Sequence, residues 1–122
     1  MASSPSAPAF LTWEMLLCES VKYFPIETVS SLLRDHPGIN VNWADRFDQR
    51  TPLHIASRKG YVEVVKLLLA HHAIDVNMKN IQGQTPFELA CANGHVGVVK
   101  VLLKDPRVDI SQDDDHGRTP LW

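Results

Sequence analysis

Six histidines, two cysteines and a run of acidic residues are the groups in this 122-residue chain with the potential for chemistry. Cys91 and His95 are four residues apart, an interval at which two metal ligands share one helix face, but Gly94 stands between them and ends the helix that would align them. His71 and His72 close an apolar helical stretch, where polar or cationic side chains meet the carbonyl end of the helix dipole, so a solvated helix end accounts for them. Asp113, Asp114, Asp115 and His116 carry donors that suit a divalent cation. They lack the alternating spacing and closing glutamate of an EF-hand loop, and an exposed acidic turn is the simpler reading. No nucleophile elbow, phosphate-binding glycine loop or pair of catalytic carboxylates occurs. The chain is expected to be no enzyme and to hold neither metal nor cofactor.

Composition narrows the remaining classes. With 44% hydrophobic and 21% charged residues the chain has the make-up of one folded domain. A net charge of -2 supplies no broad positive field, which argues against nucleic-acid binding. No segment approaches the ~20 apolar residues of a membrane span, and the opening MASSPSAPAF has neither a basic start nor an apolar run. Residues 1–10 are expected to form a flexible leader. Cys18 and Cys91 lie far apart in helix-like contexts and read as free thiols in a reducing compartment, cytoplasmic or nuclear.

The elements that position these residues come from internal repetition. Thr51-Pro52 opens TPLHIA, Thr85-Pro86 opens TPFELA and Thr119-Pro120 opens TPLW, at a constant interval of 34 residues. Each threonine is placed to cap a helix, and each proline fills the first helical position, where no amide donor is needed. Gly60 and Gly94, nine residues after the first two threonines, supply the left-handed turn that ends a short helix. A second helix follows with an apolar stripe at Val62, Val65, Leu68 and Leu69, and again at Val96, Val99, Leu102 and Leu103. Such a stripe is buried only when neighbouring pairs stack. Upstream, Ile26, Val29, Leu32 and Leu33 reproduce it. A worn first unit is therefore expected, its opening helix running from about Thr12 to Lys22 and packing through Trp13, Leu16, Leu17 and Ser20, with Phe24-Pro25 in place of the glycine turn.

TPLHIA, a turn glycine, VVKLLL and a closing DVN together resemble the ankyrin repeat, over roughly residues 12–122. The resemblance implies an all-α helical solenoid of stacked antiparallel helix pairs, with short β-hairpin loops projecting as fingers. It implies that His54, and by position His95, tie adjacent turns through hydrogen bonds. Asn42 and Asn77 suit the start of a turn. The first finger, from Trp43 to Arg50, carries one extra residue and has no counterpart of Gly83 or Gly117. The expected units are a degenerate repeat at about 11–46, repeats at about 47–80 and 81–114, and a truncated one at about 115–122.

In that family specificity lies on finger tips and on the exposed side of the first helix of each pair. The corresponding positions are Trp43, Phe47, Asp48, Arg50, Arg58 and Lys59; then Ile81, Gln82, Gln84, Ala92 and Asn93; and in the last unit Asp115, His116 and Arg118. Arg46, Arg50, Arg58 and Lys59 would make one end of the groove basic, and Asp113 to Asp115 the other acidic. Phe47 is the expected exposed anchor, while Trp43 is expected to pack. A non-enzymatic scaffold or adaptor that binds a partner protein follows, with no nucleic acid and no membrane. An inhibitor of a kinase by surface coverage, or the recognition part of a larger enzyme or channel, are the alternatives. TPLW is too short to make a helix, so the last unit is expected to be incomplete and its open end to favour self-association.

Overall fold

A computed structural model describes residues 12–23 and 25–110. Six helices form there: α1 (Trp13–Tyr23), α2 (Ile26–Asp35), α3 (Pro52–Lys59), α4 (Val62–Leu69), α5 (Pro86–Ala92) and α6 (Val96–Leu103). They make three consecutive pairs, with α1, α3 and α5 in one layer and α2, α4 and α6 in the other. Within the first layer α1 packs on α3 and α3 on α5; in the second α2 packs on α4 and α4 on α6. Leader residues 1–10, Phe24, and the residues from 111 to Trp122, among them Asp113, Asp114, Asp115, His116, Gly117, Arg118 and the third Thr-Pro, lie outside the described residues.

Caps at both ends explain why α3 and α5 are so short. Thr51 and Thr85 accept from the backbone amides of His54 and Glu88 (3.2 Å each), and the His54 and Glu88 side chains accept in return from the threonine amides. Two N-terminal donors are satisfied reciprocally in each helix. At the other end Gly60 (φ 78°) takes the left-handed conformation, and the Tyr61 amide bonds back to the Ala56 carbonyl at 2.9 Å. Gly94 (φ 72°) does the same one unit later, directly after the cap residue Asn93. α1 keeps only part of this scheme. Thr12 caps it by accepting from the Met15 amide at 3.1 Å, and the helix ends at Tyr23, one residue past the expected Lys22.

A single core runs through all three pairs. Leu17, Val29, Leu53, Val65, Leu68, Val98 and Leu102 are fully buried and Phe87 nearly so. Burial of each such side chain stabilises the fold by roughly 1.5–3 kcal/mol. The stripes differ from expectation in an informative way. Val64 and Val98 are buried although the periodic pattern omits them, while Val62, Leu69 and Val99 are half-buried. Val96 and Leu103 are 61% and 50% exposed. The cause is the number of neighbours: α4 packs against α2, α3 and α6, whereas among the described residues α6 meets α4 and α5. Trp13 also departs from expectation. At the first position of α1 it lies beyond the α1/α3 contact, 40% exposed, and stacks on His36 with ring centroids 3.9 Å apart.

The expected β-hairpin fingers are turns, and no strand forms among the described residues. One asparagine organises the second finger. Asn80 donates its amide to the Gln84 carbonyl (2.9 Å), and its Oδ1 accepts from the amides of Gln82 and Gln84. In the first finger Asp45 takes that role: its amide bonds the Arg50 carbonyl at 3.1 Å and its Oδ1 accepts from Phe47, Asp48 and Gln49. Side-chain acceptors thus hold backbone donors that a strand ladder would otherwise take. The extra residue is accommodated between Asp45 and Arg50. Gln49 stands where the next finger has Gly83, and it adopts the same left-handed backbone, φ 55° against 76°.

Candidate functional site

The site is assembled by hydrogen bonds that fix one pair against the next. His54, fully buried, accepts from the Thr51 amide at Nδ1 (3.1 Å) and therefore carries its proton on Nε2, which donates to the Gln84 carbonyl at 2.9 Å. This bond runs from the start of α3 to the second finger. Burial, the leading cause, holds the imidazole below its ordinary pKa. The fingers are joined again by the Ile81 amide and the Asp48 carbonyl, 2.9 Å apart. At the far end of α3, His95 Nε2 donates to the Arg58 carbonyl at 2.7 Å. His95 is thereby engaged with backbone, not with Cys91.

Asparagines provide a third tie: Asn42 and Asn77 lie in turns as expected, and their side chains also bridge to the next unit. Asn42 accepts from the Asp75 amide and donates to the Ala73 carbonyl, both at 2.8 Å. Asn77 repeats this one unit on, with the Asp109 amide at 2.9 Å and the Arg107 carbonyl at 2.8 Å. Each asparagine satisfies one donor and one acceptor of the following loop, which is what a side-chain amide can do and a carboxylate cannot. Arg107 adds a bond to the Leu69 carbonyl at 2.8 Å while pairing with Asp105 at 2.6 Å. That pairing draws the Asp105 carboxyl below its usual range. His71, just past the end of α4, also accepts from the Ala73 amide at 3.1 Å.

Held in this way, the two fingers and the C-terminal ends of α3 and α5 enclose a cleft of about 310 Å³. It is lined by Asp48, Arg50, Arg58, Ile81, Gln82, Gln84, Ala92 and Asn93, all of them expected binding positions, and by Asn80 and Leu89. Phe47, next in the chain to the lining residue Asp48 and itself outside the lining, is 80% exposed, and Ile81, which lines the cleft, is 55% exposed. Asp48 and Arg50 pair at 3.4 Å, so the basic end is less charged than a count of arginines implies.

Three expected residues do not line the cleft: Phe47, Trp43 and Lys59. Trp43 is half-buried and packs against the core from the segment before the turn, as expected of it. Lys59, at the last position of α3, is exposed beside the cleft without lining it. Asp115, His116 and Arg118 belong to the residues outside the description. Asn80 was missed by sequence reasoning. Its signal was the asparagine four residues before Gln84, placed to close a turn. Among the described residues no three His, Cys, Asp or Glu side chains converge as a metal site would need, and no helix is long and apolar enough to cross a membrane.

Comparison with known families gives one match: the model for ankyrin repeats (3 copies) covers residues 15–114. No curated protein matches the chain.

Proposed function

Since the chain belongs to the ankyrin repeat family, whose members are generally non-enzymatic protein–protein interaction modules, we propose that it is an adaptor that binds a partner protein in the cleft between its two described fingers. One observation carries this reading. Residues from two fingers and two helices, 45 positions apart in the chain from Asp48 to Asn93, converge on one polar cleft that includes the exposed Ile81, with the exposed Phe47 next in the chain to Asp48. An exposed phenylalanine contributes little to the fold, and aromatic side chains at the edge of a pre-formed cleft are frequent energetic anchors. The hydrogen bonds through His54 and Ile81 keep the fingers in place before any partner arrives, which lowers the ordering cost of binding. Free thiols at Cys18 and Cys91 support a cytoplasmic or nuclear setting.

The test is quantitative capture from whole-cell extract with three forms of the chain: unaltered, Phe47→Ala/Gln84→Ala in the cleft, and Glu63→Ala/Lys66→Ala on the second-helix side. Proteins retained by the first and third forms and lost from the second support the reading. Identical sets from all three sink it. Exposure of Val96, Leu103 and Ile110 (39%) supports the further expectation of self-association through α6. A strictly monomeric scattering mass at all concentrations would remove that part.

A further inference from the structure

Resting on the reading of the cleft as a partner site, the geometry points to what it accepts: we propose an extended segment of the partner carrying one acidic side chain beside a large apolar one. Asp48 is the sole carboxylate among the residues lining the cleft, and Arg50 neutralises it at 3.4 Å. Arg58 remains. Its side chain has no ion pair or hydrogen bond among the described residues, and Lys59, the next residue of α3, is exposed. A single uncompensated guanidinium inside a polar cleft attracts an anion and bonds a carboxylate with two parallel N–H donors. The net lining charge of one positive unit suits a monoanion. A dianionic phosphate would meet one unpaired guanidinium and, in the same lining, the Asp48 carboxylate.

The backbone at Arg58 is held in place. Arg58 precedes Gly60 by two residues, and its carbonyl is held by His95 at 2.7 Å, so the backbone that carries the guanidinium is tied to the next repeat. Opposite it, the Gln84 side chain accepts from Asn80 Nδ2 with its oxygen at 3.2 Å, which turns its amide NH₂ away from that bond. Gln82 adds a further amide to the wall. Such groups match the alternating donors and acceptors of an extended main chain. The apolar half of the recognition comes from Phe47 and Ile81. They occupy the same position in successive fingers, and the Ile81–Asp48 backbone bond holds their tips together. A large apolar side chain laid across both removes apolar surface from water at roughly 25 cal/mol per Å².

The test starts from a phage-displayed library of random twelve-residue segments, selected on the full chain and remade as N-acetylated, C-amidated peptides so that no terminal carboxylate is present. The expected result is enrichment of Asp or Glu next to Leu, Ile, Phe or Trp. For a selected peptide, Arg58→Gln in the protein and Glu→Gln in the peptide should each weaken binding about tenfold, and the two together no more than either alone. Phe47→Ala should weaken it independently. The melting temperature of Arg58→Gln should equal that of the unaltered chain, since that side chain holds nothing in the fold. Selected peptides without acidic residues, additive losses, or tighter binding when phosphoserine replaces the acid would overturn the inference. If Phe47→Ala and Gln84→Ala still weakened those peptides, the cleft itself would stand as the binding site. An absence of any enriched peptide counts against the inference, and peptides indifferent to every cleft substitution would overturn both readings.

Discussion

Replacing Gly60 with alanine tests the coupling between repeats through the His95–Arg58 bond. The glycine has φ 78°, where an L-residue carries about 1–2 kcal/mol of strain, partly offset by about 0.4–1 kcal/mol because alanine restricts the unfolded chain. A Cβ built there lies 2.5, 2.8 and 2.9 Å from Nδ1, Cε1 and Cγ of His95, well inside contact distance. That ring cannot rotate away without losing its 2.7 Å bond to the Arg58 carbonyl, a further loss of about 0.5–1.5 kcal/mol, and overpacking typically costs about 1–3 kcal/mol. Gly94 is the internal control. It has nearly the same φ, 72°, but its Cβ would meet nothing within 4 Å among the described residues. Urea unfolding followed by circular dichroism should show Gly94→Ala losing about 0.5–1 kcal/mol and Gly60→Ala about 2–4 kcal/mol. In a His95→Ala background the Gly60→Ala loss should fall to that of Gly94→Ala. Equal losses for the two glycines, or no relief from removing the imidazole, would refute the packing argument.

Gln49→Gly should stabilise the chain by about 0.5 kcal/mol, because Gln49 holds φ 55° and a glycine already serves at the same point of the next finger; a lower melting temperature would contradict this. His54 has its folded-state pKa lowered by burial, so its contribution is fully present above the unfolded value of about 6.5 and declines as pH falls below that toward the folded value. His54→Gln can keep the Thr51 cap, as Glu88 does in the next repeat. It should be less stable at pH 7.5 by about 1–2 kcal/mol and lose less between pH 7.5 and 5.5 than the unaltered chain; equal slopes would exclude His54 as the titrating group. Cys18 is buried, chiefly by which its thiol is pushed up to about 12, whereas Cys91 is half-buried and raised for the same leading cause. A thiol reagent should therefore modify Cys91 in the native chain and both cysteines in denaturant, and native-state labelling of Cys18 first would be inconsistent with the fold.

Much of the architecture is legible in a few residues because their roles are local. Thr51, Pro52 and Gly60 state where α3 begins and ends, and the 34-residue recurrence shows that the next pair must be built alike. The cleft was legible through the resemblance, which transfers positions such as Gln84 and Asn93 from one repeat to the next. What stayed hidden depends on contacts between units. Val62 is half-buried and its counterpart Val96 exposed because α4 has helices on both sides and α6, among the described residues, has α4 on one, which a periodic pattern along one helix does not record. The Asn42 and Asn77 bonds reach 30 to 33 residues onward, and the sequence does not show that these turn residues also bridge. Trp43 differs from Phe47 in the same sense: both sit in one finger, and only the path of the turn set by Asp45 turns one onto the core and the other to solvent.

The central claim is that partners dock in the cleft between the fingers, and backbone amide shifts of the ¹⁵N-labelled chain test it most directly. Titration with a bound partner segment should move the amides of residues 47–50, 58–59, 80–84 and 92–93 together, with a common dissociation constant, while those of Glu27, Glu63 and Lys66 on the second-helix side stay in place. Shifts concentrated on the second-helix side, with the cleft amides unmoved, would contradict it.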